Sequence, residues 1–170
     1  RQEGGSMLNM NQVRDAVMEC LKSAGLEAVQ RMGLQAETYP SGAVAAVGVH
    51  QSSGQDMAFC SYLGQRYDPE KDTICELYGK RLEIELNVDI YALSPEKCEE
   101  AVEIAAEVLL AKLPGGIKPI EGQWEELKWD RERTLYFRQG TVRCTAYFTA
   151  ACDEENPSLL DFELKGVVHP

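Results

Sequence analysis

The most regular hydrophobic pattern in the chain lies between Lys80 and Leu93. From Leu82 to Ile90, apolar residues alternate with polar residues at every second position. This period of two is typical of a β-strand with one buried and one solvated face. The pattern places three acids together on the solvated face, namely Glu83, Glu85 and Asp89.

The next segment has the pattern of an amphipathic helix that covers this strand. Ser94 and Pro95 are typical of a helix start, and the Pro-Gly-Gly sequence at 114–116 is typical of an end. Apolar residues recur at steps of three and four along one side, namely Cys98, Ala101, Val102, Ala105, Val108, Leu109 and Leu113. Strand and helix are therefore predicted to form one packed unit.

The other elements predict an α+β fold. A first helix is expected from Asn11 to Ala24, with Gly25 ending it, and residues 26–32 fit either a short strand or a frayed continuation of that helix. Strands are expected at 43–50, 57–66, 74–93, 123–129 and 134–152. They would form a mostly antiparallel sheet with two helices packed on it, and Gly79 is expected to mark a bulge or bend.

The predicted hairpin at 123–152 changes its apolar parity along the second strand. Leu135 and Phe137 are apolar at odd positions, whereas residues 142–152 are apolar at even positions, so a bulge at Gly140 is the simplest explanation. The strand would span roughly 60 Å if straight. It is therefore predicted to bend or to reach a neighbour, with folding back on its own sheet as the alternative.

Length and composition indicate one soluble domain. Residues 1–10 are expected to be a disordered start or a non-native extension, residues 11–156 a single α+β domain, and residues 157–170 a C-terminal strand or arm. No run has the length of a membrane span or the pattern of a signal peptide, so a cytoplasmic protein is expected. The net charge of −11 argues against general nucleic-acid binding.

The six cysteines never approach a C-x-x-C spacing. They stand at positions 20, 60, 75, 98, 144 and 152, and most lie on the apolar side of a predicted element. We interpret them as small buried hydrophobic residues in a reducing compartment, rather than as disulfides or metal ligands.

Few residues suggest chemistry. The chain has two histidines, His50 and His169, so a catalytic triad would have to use His50, which is more simply a polar residue at a strand end. Glu83, Glu85 and Asp89 could hold a divalent cation, but a solvated strand face is the more common arrangement. We therefore assign no catalytic, cofactor-binding or metal residue, expect no cofactor, and predict that the chain is not an enzyme.

The order of elements resembles that of tail terminator, or tail completion, proteins of long-tailed phages and prophages. The resemblance is carried by the helix SPEKCEEAVEIAAEVLLAKL, by RCTAYFTA, and by PSGAVAAVGV, YLGQRYDPE, ELYGKRLEIELNVDIYAL and LDFELKGV. It extends over nearly the whole chain from about Met10. It is a likeness of element order and texture, because the family has no short diagnostic motif and no catalytic residues.

The resemblance implies an α+β structural subunit that forms a ring, a hexamer in this family. Such a ring caps the tail tube and contacts the head-tail connector, so the subunit would occupy the host cytoplasm during assembly and the virion tail afterwards. The terminal strand after Pro157 is longer than is usual for these proteins, which leaves neck or minor tail protein as related roles. The alternative from another class is a small acidic α+β module that binds a ligand or regulates a partner.

Overall fold

The computed structural model describes residues 3–30, 42–50, 59–152 and 163–165. These ranges contain two helices, α1 (Glu3–Ser23) and α2 (Pro95–Ala111), and nine strands. The strands are β1 (Glu27–Gln30), β2 (Ala43–His50), β3 (Phe59–Asp68), β4 (Thr73–Ala92), β5 (Ile117–Trp124), β6 (Lys128–Asp130), β7 (Leu135–Arg138), β8 (Gly140–Cys152) and β9 (Glu163–Leu164). They form one sheet, antiparallel except for the β1–β2 pair, and the predicted α+β class is confirmed.

Strand β4 is the centre of the sheet. Its 20 residues pair with two strands along each edge. One edge binds β3 along 73–81 and β2 along 85–92, and the other binds β8 along 76–87 and β7 along 90–92. The alternating stretch that dominates the sequence is therefore also the stretch on which the other strands assemble.

Both helices pack against this sheet. Helix α1 contacts β1, β2 and β9, and helix α2 contacts β2, β4, β5 and β7. The predicted apolar faces meet, because Leu86 and Val108 are both fully buried. We call the helices and the strands that they cover the body, and we call β3 with residues 69–81 the arm.

The helix ends follow the predicted capping chemistry. The Ser94 hydroxyl accepts a hydrogen bond from the Lys97 amide at 3.3 Å, and Pro95 occupies the first turn of α2. Gly25, at a φ of 90°, follows α1, and the amides of Gly25 and Leu26 bond back to the last turn. The predicted start of α1 was wrong, since the helix begins at Glu3 rather than Asn11. Residues 7–10 include good helix formers, and extending a formed helix is easier than nucleating one.

The predicted bulge at Gly140 is not present. Ile90 pairs with Arg138 and Asn87 pairs with Thr141 in the same register, so no residue is inserted between β7 and β8. The two apolar sets instead lie on opposite faces of the sheet: Phe137 is paired with Tyr91 on one face, and Val142 with Leu86 on the other. The change from odd to even apolar positions therefore reflects a sheet that is buried on both faces at this point.

The predicted irregularity at Gly79 lies on the partner strand instead. The β3–β4 register shifts between Tyr62 and Gly64, so the extra residue is Leu63, and Gly64 has a φ of 127° that suits glycine. A second shift in register lies in β5, between Pro119 and Glu121. Gly79 itself pairs regularly with Ser61.

The long second hairpin folds back on its own sheet. Its turn at 131–134 is where the sequence predicted it, but the first strand is split into β5 and β6 and begins at Ile117. Strand β8 pairs with β4 along 141–152 and does not project. The described part of the predicted C-terminal strand or arm at 157–170 contains β9, which pairs with β8, and the rest of that range lies outside the described residues.

Candidate functional site

His50 lies at the end of β2 beside an acid and an amide. Its Nε2 is 3.9 Å from Glu85 Oε1, and its Nδ1 is 3.5 Å from the Asn87 Nδ2. The side chain is half exposed, and neither neighbour is a nucleophile that a histidine base would activate. The described contacts of His50 therefore agree with the interpretation of a polar residue at a strand end.

The three acids of the central strand do not form one site. Glu83 is exposed beside Arg81, and Glu85 is partly buried beside His50. Asp89 is only 3% exposed, and its Oδ1 accepts a hydrogen bond from the Gly140 amide at 3.1 Å. The predicted solvated stripe is thus wrong at Asp89, because that end of the face is covered. Within the described ranges, no group of three His, Cys, Asp or Glu side chains is placed to hold a metal ion.

Four of the cysteines are shown as free thiols, namely Cys20, Cys75, Cys98 and Cys144. Cys75, Cys98 and Cys144 are buried, as the sequence predicted, and Cys20 is partly buried. Burial, with a smaller contribution from Glu99, raises the pKa of Cys98 to about 11, and burial raises the pKa of Cys144 to about 11. These two thiols stay protonated at neutral pH, which makes them poor nucleophiles and poor metal ligands.

Side-chain hydrogen bonds link β4 to its neighbouring strands where β7 passes into β8. The Trp124 indole donates to the Val88 carbonyl at 3.0 Å, and Asp89 accepts from Gly140 on the same stretch. A Cβ on Gly140 would collide with both Trp124 and the Val88 carbonyl. Two side chains therefore replace ladder hydrogen bonds here, and only glycine leaves room for them. This explains the buried acid in structural terms.

A row of charges crosses the face of the sheet that is turned away from the helices. Glu121 of β5 is opposite Arg143 of β8, Arg143 is opposite Glu85 of β4, and Glu85 is opposite His50 of β2. The Arg143–Glu121 ion pair measures 3.6 Å. Glu121, Arg143 and Glu85 alternate in the sign of their charge along the row, an arrangement that stabilises neighbouring strands modestly. Sequence reasoning missed it because the register between strands is a tertiary property.

The arm ends in two exposed hydrophobic side chains. Tyr67 and Ile74 face each other across the β3–β4 pair, and each is 57% exposed. The turn beside them is well ordered by its acids: the Tyr67 hydroxyl donates to Asp72, and Asp68 accepts from the Glu70 amide at 3.0 Å. The hydrogen bond to Asp72, followed by desolvation and the charge of Asp68, raises the pKa of Tyr67.

The opposite end of the sheet carries an aromatic cluster made of two ring pairs on opposite faces of β7. Trp129 packs edge-on against Tyr136 with ring centroids 4.7 Å apart, and Phe137 stacks on Tyr91 at 5.6 Å. Arg133 lies over the Tyr91 ring at 5.5 Å. The aromatic side chains differ in burial, since Phe148 is fully buried whereas Trp129 is 48% exposed.

The turn next to this cluster is fixed by Asp130. Its carboxylate accepts from the amides of Glu132 and Arg133 and from the Arg133 guanidinium at 2.8 Å. Partial burial raises the pKa of Asp130, but these hydrogen bonds and the arginine charge outweigh it, so that the pKa lies below its usual range. The turn is therefore rigid while its outer side chains, such as Arg131, face solvent.

The sequence matches no protein-family model and no curated protein. Among the described helices, none is long and apolar enough to cross a membrane. Among the described residues, His50, Asp89, Cys98 and Cys144 make structural contacts, and four of the six large exposed hydrophobic side chains lie at the two ends of the sheet.

Proposed function

We propose that this chain is a ring-forming structural subunit of a phage or prophage tail, which caps the tail tube and joins it to the head. The observation that carries the proposal is the arm. Its tip exposes Tyr67 and Ile74 as a facing pair, and in the part of the chain that the structure describes neither helix makes an extensive contact with β3. A paired strand that presents large apolar side chains beyond the reach of its own core gains stability when a partner covers it.

The candidate chemical residues support the same class of function. His50, Asp89, Cys98 and Cys144 each have a structural explanation, through strand pairing, a buried hydrogen bond or core packing. The resemblance in element order supplies the particular assembly, a hexameric ring on the tail tube. The net charge of −11 suits a ring through which DNA must slide without binding.

Two measurements test this function. Light scattering of the purified chain at concentrations in the tens of micromolar is expected to give the mass of a closed oligomer. Electron microscopy of the chain mixed with tail tubes is expected to show rings at one end of each tube. A chain that stays monomeric or dimeric and leaves tubes undecorated would contradict the proposal, and would favour the small ligand-binding or regulatory module.

A pair of variants makes the test specific to the arm. Tyr67→Ser with Ile74→Ser removes the exposed apolar pair and is expected to reduce both oligomer mass and tube decoration. Leu110→Ser is the matched control, because Leu110 is 76% exposed on α2, away from the arm. Circular dichroism should show the same folded signal for both variants. Equal loss in the control would mean that general surface hydrophobicity, and not the arm, drives association.

A further inference from the structure

The two turns that carry exposed hydrophobic residues lie at opposite ends of the sheet. Thr73 pairs with Asp68 beside one turn, and Ala92 pairs with Tyr136 beside the other, so the full length of β4 separates them. We call residues 67–74 the arm tip and residues 128–136 the arginine hairpin. A straight strand of this length would span roughly 60 Å at about 3.3 Å per residue, which is the upper limit of their separation.

Both ends expose large apolar side chains. Tyr67 and Ile74 are exposed at the arm tip, Trp129 is exposed on the arginine hairpin, and Leu93 is 55% exposed beside that hairpin. The remaining large exposed hydrophobics of the described residues are Leu110 and Ile120. Most of the exposed apolar surface of this kind therefore lies at the ends of the sheet and not along its sides.

The charges at the two ends have opposite sign. Residues 68–72 contain three acids and one lysine, a net charge of −2. Residues 128–133 contain three basic residues and two acids, a net charge of +1 in a chain whose total is −11. Lys128 pairs with Glu125 and Arg133 pairs with Asp130, so Arg131 is the exposed cation that this turn offers to a partner. Two arm tips would repel each other, whereas an arm tip and an arginine hairpin attract.

We infer that copies of this chain associate head to tail, with the arm tip of one copy packed against the arginine hairpin of the next. Each contact buries Tyr67 and Ile74 of one copy beside Trp129 of its neighbour, and sets Glu70 near Arg131. Because the two surfaces differ, the contact is heterologous, and heterologous contacts close into rings or continue as filaments. This inference rests on the proposed ring function and specifies the interface that builds the ring.

Charge reversal tests the contact directly. Glu70 and Arg131 are exposed, and their side chains make no hydrogen bond or ion pair in the part of the chain that the structure describes. Glu70→Arg and Arg131→Glu are each expected to weaken self-association about tenfold or more, measured by sedimentation velocity over a concentration series. The two changes combined restore an attractive pair and are expected to recover most of the affinity.

Glu100→Arg is the matched control, since it changes the net charge as Glu70→Arg does but lies exposed on α2. It is expected to leave self-association within about twofold of the parent chain. If the parent chain forms rings and the single reversals do so equally well, the head-to-tail contact is wrong while the ring function stands. A parent chain that is monomeric and does not bind tail tubes overturns both.

Discussion

The body and the arm share one strand but differ in what covers it. Along 86–90, β4 is buried on both faces, with Leu86 and Val88 fully buried and Asp89 only 3% exposed. At the arm tip the same strand leaves Ile74 57% exposed, and only Cys75 nearby is buried. Strand pairing alone therefore does not bury side chains. Leu86 and Val88 are buried where the helices pack on the sheet, whereas the apolar side chains at the arm tip are mostly in solvent.

The largest contrast is expected from the core of the body. Leu86→Ala should lower the free energy of unfolding by about 2–5 kcal/mol, because it leaves a cavity in a fully packed site between the sheet and the helices. Urea denaturation followed by circular dichroism measures it. Glu83→Ala on the same strand is the control and should change the free energy by less than about 0.5 kcal/mol, since its ion pair with Arg81 is exposed. Similar losses for both would mean that β4 is not packed as described.

The next largest effect is expected where β7 passes into β8. Gly140→Ala should lower the free energy of unfolding by about 1–3 kcal/mol, because the new Cβ collides with Trp124 and with the Val88 carbonyl. Gly115→Ala is a matched control, as nothing lies within 4 Å of a Cβ at that position. Thermal melts of the two variants distinguish a local collision from a general cost of losing glycine.

Thiol labelling compares local opening in the two regions. Cys75 in the arm and Cys144 in the body are both buried, but among the described residues no helix makes an extensive contact with β3 of the arm. We expect Cys75 to be alkylated about tenfold or more faster than Cys144 in the native protein, since the arm should open without global unfolding. Mass spectrometry at each site measures the rates, with the unfolded chain in urea as the reference. Equal protection would show that arm and body open as one unit.

A smaller effect concerns the turn at Asp130. Because the folded state lowers the pKa of this acid, its contribution to stability is complete above the usual aspartate pKa of about 3.9 and is lost as the pH falls through the lower folded value. Asp130→Asn should therefore lower the melting temperature slightly at pH 7 and make little difference near about pH 2. A melting-temperature gap that does not shrink in acid would show that the charge of Asp130 does not stabilise the turn.

The smallest effect on stability is expected at the arm tip. Ile74→Ala should change the free energy of unfolding by less than about 0.5 kcal/mol, because the side chain is mostly in solvent. The same variant should weaken self-association measurably by light scattering. A large loss of stability in a dilute, monomeric sample would mean that the arm belongs to the core, and would remove the contrast between the two regions.

The sequence by itself determined the central strand, the helix that covers it, the start of α2 and the end of α1. The alternation around Leu86, the Ser94 cap and the glycine after α1 act through short-range chemistry, so they can be predicted from neighbouring residues. The burial of the cysteines followed from their place in apolar patterns. Because the sequence lacks the residue spacings of a metal site, a structural role was the first hypothesis.

The tertiary structure alone decided the register between strands and the burial of Asp89 on the face that the sequence predicted to be solvated. Parity placed Asp89 with Glu83 and Glu85, but parity only assigns a residue to a face and does not say what covers that face. The continuous register past Gly140, the charge row through Arg143 and the opposite placement of the two turns all depend on pairings between residues far apart in the chain. Such pairings are selected by the packing of the whole sheet, and for that reason no local pattern contains them.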